Sequence, residues 1–138
     1  MNDPSKWNVL VVGHDQQLVE FVRSSLENGA YDVRQTDLEG EKLAALLKEY
    51  NPDVIIVDVG MPAMRGIEVS LEIRQWSVAP TVLLSTWKAG KAKVRGFDLD
   101  SSSCLGAPIG ADELTAWLSA RVGARSQWRG IGLPLIRR

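Results

Sequence analysis

Residues 52–69, PDVIIVDVGMPAMRGIEV, constrain this chain more than any other stretch. Residues 53–57 (DVIIV) are dominated by β-branched side chains. The run is too short for a core helix, and Pro52 and Gly60 bound it. Such a run suits a central strand of a parallel sheet covered on both faces. Asp58 stands at its C-terminal end. In open α/β sheets, ligands and reactive groups gather at the rim beyond the strand C-termini. A carboxylate there serves as a nucleophile or a metal ligand, or it does no more than turn the chain, as Asp often does at strand ends. Met61-Pro62 and Gly66 then mark a loop leading into a helix.

The 138 residues are the length of one domain, and 45% hydrophobic with 24% charged residues is the composition of a globular fold. The lone cysteine, Cys104, excludes an internal disulfide and fits a reducing compartment. No apolar run approaches the ~20 residues a membrane-spanning helix needs. The N-terminal MNDPSKWN lacks the apolar stretch of a signal peptide, so the expected location is cytoplasmic, without membrane contact. A net charge of −1 makes no global case for nucleic acid, but the charge is uneven. Residues 124–138 carry Arg125, Arg129, Arg137 and Arg138 with no acid, which leaves −5 on the rest. Five tryptophans are many for this length. Trp7 and Trp117 read as packing residues, and the others are open to a partner surface.

Taken in order, residues 7–12 (WNVLVV) read as the first strand, ending at Gly13-His14-Asp15. Asp15 or His14 caps a helix over 16–28, whose inward face is Leu18, Phe21, Val22, Ser25 and Leu26. Residues 31–36 alternate as a strand nearer the edge. Residues 39–50 form a second helix with Leu43, Leu46 and Leu47 inward. After the third strand, a helix over 66–76 faces Ile67, Leu71 and Ile73 inward. Residues 80–85 (PTVLLS) are the fourth strand. A fourth helix is expected over 87–96, although its pattern is poor, it is basic, and Gly90 weakens it. A short fifth strand over 102–105, a turn at Ala107-Pro108 and a final helix from Gly110 or Ala111 to about Val122 follow, with Leu114, Trp117, Leu118 and Val122 inward.

Five strands alternating with five helices predict a three-layer α/β/α sandwich around a five-stranded parallel sheet. Right-handed crossovers favour the strand order 2-1-3-4-5 of flavodoxin-like folds. That order brings Gly13-His14-Asp15, Asp58 and Ser85-Thr86 to one rim. The expected division is an ordered domain over 1–123 and a basic linker or tail over 124–138.

These segments together resemble the receiver domain of bacterial response regulators, over about Asn8 to Val122. PDVIIVDVGMPAMRGIEV is similar to the family's phosphoacceptor segment, with Asp58 at the acceptor position and Met61-Pro62 and Gly66 at the usual offsets. PTVLLST places Ser85 at the switch Ser/Thr position. GFDLDSSSCLGAPI resembles the run into the fifth strand, with Cys104 where the family has a switch aromatic and Pro108 at the position of its cis-proline. The length of the 87–96 segment resembles the winged-helix transcriptional regulators of the family. The resemblance implies a phosphorelay role in two-component signal transduction, a histidine kinase as partner, and Mg²⁺ at the acceptor.

Three departures bear on that chemistry. The two adjacent acids that hold Mg²⁺ in a typical receiver are here Gly13 and His14, and Asp15 comes one residue late. The lysine before the proline is Ala107. The switch aromatic is Cys104. Phosphoryl transfer onto a carboxylate is catalysed mainly by positioning and by cationic neutralisation. Mg²⁺ demands hard oxygen ligands, and a neutral imidazole is a poor one. Zinc needs more than His14 and Asp58. A protonated His14 adds charge without replacing a divalent ion, and a His14–Asp58 pair is a purely structural alternative.

No cofactor is therefore expected, with Mg²⁺ binding weak or absent. The expectation is an atypical receiver, not an enzyme, that regulates by protein contacts. A true phosphoacceptor at Asp58 controlling transcription is the alternative. A flavodoxin-like nucleotide binder is a third reading, but GHDQQ after the first strand lacks a phosphate-binding loop. A homodimer through the face of the fourth helix, fifth strand and fifth helix is a possible assembly, with Lys91, Lys93 and Arg95 near Asp98, Asp100, Asp112 and Glu113. The alternative is a solvated charged face. DNA contact is expected only through an effector domain not present in these residues, unless the basic tail with Trp128 itself meets phosphates.

Overall fold

WNVLVV and VIIVD become the centre of a twisted sheet because their side chains are apolar on both faces. The computed structural model describes residues 6–26, 29–58, 65–89, 91–98, 103–104 and 110–130. For residues 65–67, 86–89, 91–95, 98, 103–104 and 123–130 it describes the backbone alone. Strand β1 (Trp7–Val12) runs parallel to β2 (Tyr31–Thr36) on one side and to β3 (Val54–Asp58) on the other. β3 pairs in parallel with β4 (Thr81–Ala89). The full order is β2-β1-β3-β4-β5-β6, where β5 (Lys91–Asp98) and β6 (Ser103–Cys104) are antiparallel additions.

Alternate residues of the central strands feed two cores, as a period of two requires. Val9, Val11, Val54, Ile56, Val82 and Leu84 pack under helices α1 (Gln16–Ser25) and α4 (Ala111–Gly130), which supply Leu18, Val22, Leu114 and Leu118. Leu10, Val12, Ile55 and Val57 pack under α2 (Gly40–Tyr50) and α3 (Arg65–Trp76), which supply Leu43, Leu47, Val69 and Ile73. Each fully buried aliphatic contributes about 1.5–3 kcal/mol. Helices on both faces of a mostly parallel sheet in the order 2-1-3-4-5 make the expected three-layer, flavodoxin-like α/β/α fold. Trp7 and Trp117 lie half-buried against the first core, and the Arg121 guanidinium sits 5.2 Å over the Trp117 ring.

The fold departs from the sequence expectation in several elements. The fourth helix expected over 87–96 is instead the end of β4 and most of β5, with Trp87 registered on Lys93 and Ala89 on Lys91. Lys91, Lys93 and Arg95 alternate with Ala92 and Val94, a period-two pattern that suits a strand. The dimer face expected to contain that helix is therefore not assembled as expected. Of the fifth strand expected over 102–105, the described residues are the two of β6, and residues 102 and 105 lie outside them.

On α3, Leu71 is 56% exposed, and the inward residues are Val69 and Ile73 with Trp76 packed beside them, four and three residues apart. α1 ends at Ser25, before the expected stop at Asn28-Gly29. α4 stays helical to Gly130, past the expected end near Val122.

The N-terminal pole of the sheet is closed by a polar cluster. The Tyr50 hydroxyl donates to Asp32 Oδ2 at 2.8 Å and to the Asp32 carbonyl at 2.9 Å, and Arg34 lies 4.5 Å over its ring. Burial first, then the hydrogen bond and negative charge of Asp32, push the Tyr50 phenol far above its usual range. The folded state therefore holds this proton after the unfolded state releases it near pH ~10. Its stabilisation is complete below that pH and is lost as pH rises toward the folded value. In an ultraviolet titration of the folded protein, Tyr50 is expected to stay un-ionised through pH ~11, and Tyr50→Phe is expected to remove no phenolate signal below that point.

Candidate functional site

Asp58, only 3% exposed, ends β3 and is registered against Leu84 of β4. Val12 pairs with Val57, so the register brings the next residue of β1's chain, Gly13, beside Asp58. The approach is close. A Cβ built on Gly13 would lie 2.5 Å from Asp58 Cβ and 3.2 Å from its Oδ2. Real side chains do not approach so closely, and the Gly13 φ of +153° is one that other residues adopt only with strain.

The end of β2 holds Gly13 in place. Its N–H donates to the Thr36 carbonyl at 2.8 Å, and its carbonyl accepts from Gln35 Nε2 at 2.6 Å. The backbone at this point is thus fixed from one side while the Asp58 side chain packs on the other.

The two residues after Gly13 are committed elsewhere. His14 is 58% exposed and turns its Nδ1 toward Asp37 Oδ2 at 3.6 Å, with Asp37 63% exposed. His14 therefore pairs with Asp37 and not with Asp58. Asp15 is the N-cap of α1, where its Oδ1 accepts from the Gln17 N–H at 2.9 Å and the Leu18 N–H at 3.4 Å. A capping carboxylate at a helix N-terminus satisfies donors that the first turn leaves open.

Ser85 follows Leu84 on β4, half-buried, and is registered on Arg95 of β5. Cys104 is placed by its backbone on β6, paired with Phe97 at the sheet edge. Ala107, Pro108, Met61 and Pro62 lie outside the described residues. The rim thus gathers Gly13, Asp58 and, one position beyond Asp58's partner on β4, Ser85. His14 and Asp15 stand next to it in the chain but serve other contacts.

Among the described residues, no three His, Cys, Asp or Glu side chains converge as a metal site requires. Among the described residues, the donor set at Asp58 does not fit Mg²⁺: Asp58 supplies one buried carboxylate, Gly13 beside it has no side chain, His14 faces Asp37 and Asp15 caps α1. Gln35, Thr36 and Asp37 are the rim residues that sequence reasoning missed. The signal available was their place at the end of the strand beside β1, which becomes informative only with the register known.

Residues 9–119 match the response regulator receiver domain family, and the chain belongs to it. The KDP operon transcriptional regulatory protein KdpE of Escherichia coli (strain K12) is 35% identical over 112 residues, covering 80% of this chain and 49% of that protein. The transcriptional regulatory protein KdpE of Mycobacterium tuberculosis is 32% identical over 128 residues, covering 93% of this chain and 56% of the relative. The cell cycle response regulator CtrA of Brucella ovis is 32% identical over 115 residues, covering 83% and 49%. The chain thus spans about half the length of the curated relatives it matches.

Among solved structures, the signal receiver domain of a putative Luxo repressor protein from Vibrio parahaemolyticus superposes with a TM-score of 0.64 at 16% identity, over 94% of this chain and 99% of that one. The N-terminal domain of the nisin resistance regulator NsrR gives 0.59 at 19% identity, over 83% and 96%. These two share the fold. The protein is thus a receiver domain of two-component signalling, related to transcriptional response regulators. No helix among the described residues is long and apolar enough to cross a membrane.

Proposed function

We propose that this chain is an atypical receiver that regulates through protein contacts, with little or no Mg²⁺-dependent phosphorylation of Asp58. One observation carries the reading: Gly13 packs so tightly on Asp58 that the position where relatives place the first metal-binding acid has no room for a side chain. The position of the second acid carries His14, which faces Asp37. Transfer of a phosphoryl group onto Asp58 would bring negative charges together without the divalent cation that offsets them. The output is the surface the domain presents to its partner, and the relation to the transcriptional regulatory proteins KdpE points to control of transcription.

Calorimetric titration with MgCl₂ tests the metal part of this reading. The expected result is no saturable heat at millimolar Mg²⁺. A binding isotherm in the wild-type chain that disappears in Asp58→Asn would overturn it.

A further inference from the structure

Gln35 is a polar residue on a face of β2 that packs on the core. Val33, two positions earlier, lies against the first core, and residues two apart on a strand share a face. Gln35 is registered beside Val11, which is fully buried in that core. A half-buried amide on such a face needs hydrogen-bond partners. Its Nε2 donates to the Gly13 carbonyl at 2.6 Å.

That bond ends on the residue that lies against Asp58. The three heavy atoms nearest to a Cβ built on Gly13 are Asp58 Cβ, Oδ2 and Cγ, so the Gly13 backbone rests on the carboxylate. Two bonds from β2 hold it there. The Gly13 N–H donates to the Thr36 carbonyl at 2.8 Å, which continues the β1–β2 ladder by one residue. Gln35 holds the carbonyl side, where the chain turns away at a φ of +153°. His14, next along, meets β2's chain only through its exposed pair with Asp37 at 3.6 Å, and exposed ion pairs contribute little. Past the ladder bond, the hold on Gly13 therefore rests on one side-chain amide.

We propose that Gln35 is an autoinhibitory latch: its amide keeps Gly13 down on Asp58 and so restricts access of reagents to the carboxylate. This deepens the reading of Asp58 given above and rests on its first observation, the packing of Gly13, and not on metal binding. The Mg²⁺ titration can therefore fail while the latch holds, and the reverse.

Carboxylate footprinting of the full chain with a water-soluble carbodiimide and glycine ethyl ester, read peptide by peptide by mass spectrometry, tests it. Asp53, 4% exposed at the entrance to β3 and so at the opposite pole of the sheet, is the internal reference for global unfolding. Both Asp58 and Asp53 are expected to label slowly in the wild type. Gln35→Ala is expected to raise the labelling rate of Asp58 about fivefold, the ratio by which one net hydrogen bond shifts a local opening equilibrium, with Asp53 unchanged. Gln35→Glu keeps the side-chain length but replaces the donor by an acceptor, and is expected to do the same. His14→Ala is expected to leave Asp58 at the wild-type rate. Asp58 labelling that stays at the wild-type rate in either Gln35 variant, that rises equally with Asp53, or that rises as much in His14→Ala would each overturn the proposal.

Discussion

Gly13→Ala is expected to destabilise the protein by about 2–4 kcal/mol, the sum of overpacking and of forcing a Cβ onto a φ that disfavours it. The methyl group would meet Asp58 Cβ at 2.5 Å, and the bonds from Gly13 to Thr36 and Gln35 resist the backbone shift that would relieve the contact. For a chain of this size, the thermal midpoint should fall by roughly 10 °C. Denaturant unfolding measures the loss. The cause is identified by adding Asp58→Gly, which removes the Cβ on the other side. The two substitutions together should cost less than the sum of each alone, since residues in contact couple. Additive losses would mean that backbone strain at Gly13, and not its packing on Asp58, dominates. An acid at position 13 meets the same obstacle, so Gly13→Asp is not expected to restore a metal site without separating the ends of β1 and β3.

Asp53→Ala is expected to cost about 2–3 kcal/mol, the range for losing a hydrogen bond to a buried charged group. Asp53 is 4% exposed at the entrance to β3, and its Oδ2 accepts from the Asn8 N–H at 2.9 Å. The reciprocal bond, from the Asp53 N–H to the Asn8 carbonyl at 2.7 Å, joins β1 to β3 at their shared N-terminal end. The Asn8 amide also donates to the Tyr50 carbonyl at 3.1 Å and so ties the end of α2 into the same point. Removing the carboxylate leaves a buried N–H with no acceptor. Asp53→Asn keeps an oxygen at that position and should cost about half as much, and denaturant unfolding of the two variants separates the cases. Equal losses in both would show that the charge, and not the acceptor, stabilises this end.

The parts of the fold that were legible in the sequence are those where one physical signal dominates. VIIVD and WNVLVV can bury both faces and so had to be central strands. The apolar spacing of Leu18, Val22, Leu43 and Leu47 marked α1 and α2 and the faces they bury. On α3 the spacing was misread at Leu71, because an apolar residue on an exposed face carries no sign of its orientation. Residues 87–96 were read as a fourth helix despite a poor helical pattern, against their own alternation of cations with Ala92 and Val94. The acceptor-position aspartate and the glycine and histidine in place of acids were visible from residue order alone. That Gly13 presses on Asp58, and that His14 turns to Asp37, depends on strand register and on β2, which lies remote in sequence.

The central claim is that this receiver lacks ordinary Mg²⁺-dependent acceptor chemistry. Intact mass of the chain after incubation with acetyl phosphate and Mg²⁺, beside Asp58→Asn, tests it most directly. The expected result is an unchanged mass in both. A gain of one phosphate in the wild type and none in Asp58→Asn would contradict the account.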